Sequence, residues 1–202
     1  YFFQRGHSPI VYDGSTCVDI DLAGAYAGTV QEANEVLAAY GRLWTIDTLT
    51  DKTTLKWSDL LIGEAWTGGS AGSLDLHTVY ADGVRPGVAL ASFNNKLVIF
   101  CDKTIILYDG ADDPSTMALS DIILGVGCIA RDSVIHMGSD ILFLSDSGVR
   151  SLGRVISEKS APLNDQWSWT RPSSSYMKPC PSRLISSPDL TRESVTSSTS
   201  TE

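Results

Sequence analysis

The run Gly68-Gly69-Ser70-Ala71-Gly72 fits the pattern G-x-S-x-G. In a nucleophile elbow this pattern places a serine on a strained turn between a strand and a helix, with its hydroxyl raised for attack on a carbonyl. Asp75 and His77 follow closely and have the side chains of a triad. A triad, however, is assembled in space and not by closeness along the chain. The flanks also differ from an elbow. The run ends a glycine-rich stretch, Leu60 to Gly72, and the alternating segment Ser73 to Val79 (SLDLHTV) predicts a strand where the elbow needs a helix. The sequence therefore favours a flexible glycine loop, and no catalytic residue is assigned.

Other chemistry-bearing groups are read the same way. Asp109-Gly110-Ala111-Asp112-Asp113 offers carboxylates for calcium but lacks the alternating acids and closing glutamate of an EF-hand loop, so a solvated turn is expected. Ser145-Asp146-Ser147-Gly148 resembles the aspartate-box turns of sialidase propellers, with its Ser, Asp and aromatic positions wrongly spaced; a hairpin turn is expected. Gly125-Val126-Gly127 has no third glycine at dinucleotide spacing, and the chain has no phosphate-loop lysine signature. Trp44, Trp57 and Trp66 could form a ligand platform, but strand aromatics usually pack in cores. Cys17, Cys101, Cys128 and Cys180 are scattered, as are His7, His77 and His136, which argues against zinc. Cys101 and Cys128 lie in apolar runs and are expected to be buried thiols, weakly suggesting a reducing compartment during folding. No catalytic, cofactor-binding or metal residue is assigned, and no cofactor is expected.

The elements that must position these groups follow one plan. Asn94 to Gly110 (NNKLVIFCDKTIILYDG) holds two short apolar runs around a polar turn at Asp102-Lys103, a β-hairpin pattern. Gly41 to Asp59 and Ser139 to Gly153 repeat it. Their leading leucines are Leu43, Leu97 and Leu142, spaced 54 and 45 residues apart. A period of about 40 to 50 residues built of short strands marks a β-propeller blade. A β-sandwich with three similar hairpins is the plainer alternative. Strands are predicted at about 43–47, 53–58, 97–101, 104–108, 141–145 and 149–152, with Val88 to Phe93 as an inner strand. Residues 1 to 14 read as one strand ending at Asp13-Gly14, and Cys17 to Leu22 as another. Gln31 to Tyr40 has helix-forming composition, with strand preferred from Val36 onward.

Composition bounds the rest. With 43% hydrophobic and 19% charged residues, the chain has an ordinary globular balance and enough length for a core. No apolar run approaches the roughly 20 residues that span a bilayer. The chain starts at Tyr1-Phe2-Phe3 without Met or signal segment and reads as a fragment or a processed chain. Residues 1–163 form the expected domain, an all-β, incomplete β-propeller of repeated hairpin blades. Residues 164–202, rich in Ser, Thr and Pro, read as a disordered or off-pattern tail that cannot bury enough surface to offset ordering entropy. Net charge is −9. Affinity for nucleic acid rests on Lys and Arg neutralising phosphates, so this balance opposes a DNA-gripping role.

Three stretches carry a family resemblance: KWSDLLIGEAWTGGSAGSLDL (Lys56 to Leu76), LVIFCDKTIILYDGADDPSTM (Leu97 to Met117) and GCIARDSVIHMGSDILFLSDSGVRSLGRVISEKSAP (Gly127 to Pro162). Over roughly residues 30 to 163 the chain resembles the tail nozzle proteins of short-tailed phages, also called tail tubular protein B. The chain is shorter than those proteins and leaves their pattern after Leu163. The resemblance implies a structural virion protein, not an enzyme, built around a β-propeller. It implies a homo-oligomeric ring, a hexamer in the full-length protein, beside an adaptor protein and tail fibres, with double-stranded DNA passing through without sequence recognition. It also implies a place in the virion tail, and in the host bacterial cytoplasm during assembly. The contrasting expectation is a propeller that binds or degrades glycans, which would need paired carboxylates at the axial opening.

Overall fold

The computed structural model describes residues 1–4, 6–20, 32–48, 50–79 and 85–160. These residues are mostly strand, arranged in four antiparallel sheets that follow one another along the chain. The first sheet is β1 (Phe2–Gln4), β2 (His7–Tyr12) and β3 (Cys17–Asp19). The second is β4 (Ala33–Ala39), β5 (Arg42–Thr48), β6 (Thr54–Trp57) and β7 (Gly72–Asp75). The third is β8 (Gly87–Phe93), β9 (Lys96–Cys101), β10 (Thr104–Asp109) and β11 (Ala118–Leu124). The fourth is β12 (Ile135–Met137), β13 (Asp140–Ser145) and β14 (Gly148–Ser151), followed by helix α1 (Leu152–Ser160). Every strand in a sheet pairs with its sequence neighbour, so each sheet is a meander. The class is all-β and the blade-like repeat is present, but the sheets do not close into a ring. Among the described residues no helix is long and apolar enough to cross a membrane.

Local chemistry explains the hairpins. Tyr40 and Gly41 both adopt positive φ, 55° and 69°, as do Asn94 and Asn95 at 48° and 61°. Two-residue turns with both centres in the left-handed region match the twist of the strands they join. The six predicted hairpin strands are found as β5, β6, β9, β10, β13 and β14, and the predicted inner strand as β8. β9 shows why its sequence is continuously apolar. Leu97, Ile99 and Cys101 face a core shared with Trp44, Ile46, Leu55 and Trp57 of the second sheet. Val98 and Phe100, on the opposite face, join a core with Ile141, Phe143, Leu152 and Val155 of the fourth sheet and α1. A strand buried on both faces has no polar alternation to show. A third, smaller core places Ile20, Phe3 and Val11 around Trp66 and Leu43.

Several boundaries differ from expectation. Residues 1 to 14 contain two strands, because Gly6 turns the chain at φ 74° and Phe2 pairs with Ile10. Ala33–Ala39 is a strand throughout: its Ala- and Glu-rich composition favours a helix, but pairing along β5 from Ala33↔Thr48 to Ala39↔Arg42 overrides it. β3 ends at Asp19 with Ile20 in a turn, and the rest of the predicted strand, Asp21 and Leu22, lies outside the described residues. The strand predicted over Ser73 to Val79 ends at Asp75, whose carboxylate accepts the backbone N–H of His77 and starts a 3-10 turn, Leu76–Thr78. The expected boundary at 163/164 and the predicted tail lie outside the described residues, as does Cys180.

Candidate functional site

The first strands of the first three sheets lie side by side, with β4 against both β1 and β8, and β8 meets the 3-10 turn that precedes the fourth sheet. In a propeller these inner strands face the axis. One cluster of polar side chains sits on them. Glu35 of β4 is buried, with its side chain 14% exposed, and its Oε1 accepts the backbone N–H of Leu90 on β8 at 3.0 Å. Its Oε2 lies 3.7 Å from Nε of Arg131. Arg131 belongs to a 3-10 turn, Arg131–Ser133, that precedes the fourth sheet. Its Nη1 donates to the backbone carbonyl and to Oδ1 of Asn34, and its Nε donates to Asp132. Asn34 in turn donates from Nδ2 to Asp47 Oδ2 at 3.2 Å. Glu35 thereby joins the second sheet to the third, and Arg131 joins the second sheet to the turn that precedes the fourth.

Two features mark this cluster as under constraint. Asp47 is buried within β5 yet has φ 66°, a conformation uncommon for a residue with a side chain. Burial disfavours the charged form of Glu35 and raises its pKa from 4.5 to about 7, against the lowering effects of the Leu90 N–H and the Arg131 charge; the Asp132 and Asp47 carboxylates add to the rise. Strongly perturbed carboxyls with identified charge partners are candidates for function. What this one can do is hold a proton near neutral pH at the junction of the second and third sheets.

The sequence motifs resolve differently. Ser70 is not raised for attack: its Oγ donates to Asp59 Oδ1 at 2.6 Å, its N–H to the same oxygen at 3.0 Å, and its carbonyl accepts from Trp57 Nε1 and Arg42 Nη1. The Ser70 hydroxyl, followed by the Ser70 and Leu60 N–H groups, holds Asp59 down to about 2. His77 Nδ1 pairs with Asp75 in its own 3-10 turn, 2.9 Å away, and both are solvent-exposed. The motif is a loop clamp. Asp109 pairs with Lys96 across the β9–β10 ladder, and Asp113 Oδ1 accepts from the N–H and hydroxyl of Ser115 in a local turn. Among the described residues no group of three or more His, Cys, Asp or Glu side chains is placed to hold a metal ion. Ser145 pairs with Gly148 across the β13–β14 hairpin, as expected of a turn.

Gly127 is a packing glycine: a Cβ there would lie 2.3 Å from the backbone carbon of Asp102, and the Cys128 N–H bonds the Cys101 carbonyl beside it. Trp44 and Trp57 stack at 5.3 Å in the core, and Trp66 meets Phe3 edge-on at 6.2 Å. Cys101 and Cys128 are buried free thiols, and burial pushes Cys101 up to about 12. Surface hollows of about 450, 460 and 430 Å³ lie near the Tyr40-Gly41 turn, between β14 and α1, and between β11 and α1; neither Glu35 nor Asp47 lines them. Sequence reasoning missed the Glu35–Arg131 pair. The available signal was the polar pair Asn34-Glu35 in an otherwise apolar strand. Comparison with family models and with curated proteins gave no match.

Proposed function

We propose that this chain is a structural, non-enzymatic protein of a phage tail, a subunit of the nozzle through which duplex DNA leaves the particle. The single observation that supports the reading is the stacking of four consecutive meander sheets through three apolar cores. That architecture supplies a stiff wall. The serine, histidine and aspartates that could do chemistry are engaged in turns and loop clamps, which fits a wall better than a catalyst. The excess of acids over bases suits passage of a polyanion, since fixed cations would bind phosphates and hold the duplex.

The second reading, a glycan-binding or glycan-cleaving propeller, is favoured by two acids on neighbouring strands, Glu35 on β4 and Asp47 on β5. Against it, Glu35 is covered by Leu90 and Arg131 and opens onto none of the three hollows. Two measurements separate the readings. Titration of the chain with duplex DNA at low salt should give no binding, and immunoelectron microscopy of particles with antibody raised to the chain should label the tail tip. A salt-sensitive DNA complex, unlabelled tails, or hydrolysis of a glycan panel lost in Glu35→Gln would overturn the proposal.

A further inference from the structure

The outer strand of the third sheet, β11, and helix α1 enclose a hollow of about 430 Å³. Its volume falls within the range of small-ligand pockets, roughly 300 to 1,000 Å³, and its wall has their plan, mostly apolar with a few polar groups. Ile123 and Val155 belong to the core between the third and fourth sheets, and Val126 packs against that core. Leu124, also in the wall, is 54% exposed. Three charged side chains complete it: Arg150, Glu158 and Lys159.

Two of the three already have ionic partners. Lys159 Nζ donates to Asp121 and to the backbone carbonyl of Ile122. Glu158, the one carboxylate in the wall, accepts from Arg154 Nε at 2.9 Å, four residues back along α1. Arg150 differs. It pairs with Phe143 across the β13–β14 ladder, so its side chain stands on the face turned toward the third sheet. Its Nε donates to Ser147 Oγ at 2.9 Å, and it forms no ion pair with a carboxylate among the described residues. An uncompensated cation therefore sits beside an apolar floor, in a chain whose net charge is −9. Its two Nη groups remain to donate in parallel to a carboxylate, the geometry a guanidinium fork favours.

The edge of β11 argues against an extended peptide as occupant. An unpaired edge ordinarily invites strand addition. Here the Ile122 N–H is taken by Asp121 Oδ1 at 2.8 Å and the Ile122 carbonyl by Lys159, so the edge is closed at that point. Recognition falls to side chains. We infer that the hollow binds a short amphipathic carboxylate, its head on Arg150 and its unbranched apolar tail on Ile123, Leu124, Val126 and Val155. The site lies on an outer strand, away from Glu35, and does not rest on the phage reading.

The test is calorimetric titration of the full chain with sodium octanoate, 1-octanol and sodium acetate, with Arg150→Gln and Leu124→Asp made separately. Circular dichroism and thermal midpoint establish that each variant folds. The expected result is one octanoate per chain, no saturable binding of acetate, and octanol weaker than octanoate. Arg150→Gln should weaken octanoate by about tenfold to a hundredfold, the worth of a charge-assisted hydrogen-bonded pair, and leave octanol unchanged. Leu124→Asp should weaken both. Absence of saturable octanoate binding overturns the inference. So does uptake of several octanoates per chain with an affinity that Arg150→Gln leaves unchanged, and so does octanol binding as tightly as octanoate, which would leave the guanidinium without a role.

Discussion

Replacing Glu35 with glutamine should stabilise the protein, and only above acidic pH. In the unfolded chain Glu35 titrates at its ordinary 4.5; in the folded protein it titrates at about 7. Between those values the native state binds more protons than the unfolded state, so stability falls as pH rises. Below 4.5 both states are protonated and the contribution is fully present; it is lost as pH rises through about 7. At about 1.36 kcal/mol per pH unit, the interval corresponds to about 3 kcal/mol, an upper figure because the side chain keeps slight solvent contact. The shift already includes what Arg131, Asp132 and Asp47 contribute. Glutamine keeps an oxygen for the Leu90 N–H and cannot ionise. Urea unfolding of both proteins, followed by tryptophan fluorescence, should give nearly equal stability at about pH 4.5 and a variant more stable by about 2 to 3 kcal/mol at about pH 8. Differencing against the variant removes every other titrating group. A variant less stable than the parent at the higher pH, or a difference that does not grow with pH, would refute the account and show that the Arg131 pairing outweighs burial.

Three further outcomes are expected. Gly127→Ala should lower stability by about 1 to 3 kcal/mol or more, because the new methyl meets backbone at the β9–β10 turn and backbone cannot rotate away; a shift in urea midpoint checks it. Phe143→Ala, which removes a ring 5.0 Å from Phe100 in the core between the third and fourth sheets, should cost about 3 to 5 kcal/mol by the same measurement. Ser70→Ala should leave the fold intact, since the Ser70 N–H still holds Asp59, and should abolish no hydrolytic activity; proteolysis confined to the 60–72 loop would be the visible effect.

The hairpins were legible because their information is local. Asp102-Lys103, Asn94-Asn95 and Gly148 are turn residues at short spacing between β-branched runs, and such spacing constrains pairing without help from the rest of the chain. β4 was ambiguous for the converse reason: ANEVLAA prefers helix locally, and only its ladder with β5 makes it a strand. The Glu35–Arg131 junction was illegible because it joins residues far apart in sequence, and no spacing rule reaches that far. The elbow-like glycines were misleading at the level of pattern, and their flanking alternation already argued for the loop that Asp59 fixes.

The meander arrangement has a kinetic consequence. Strand partners are sequence neighbours in every sheet, so each sheet can form by closing short loops, and short loops close at low entropic cost. The two hydrogen bonds from Arg131 to Asn34 bridge 97 residues, joining β4 to the turn that precedes the fourth sheet. Folding on the ribosome can therefore proceed sheet by sheet in the order of synthesis, with the arginine available only once the strands of the third sheet have been made. A link made after the rate-limiting barrier does not speed folding; it slows unfolding. A 97-residue link that forms after that barrier would act as a latch on the lifetime of the folded state and not as an aid to reaching it.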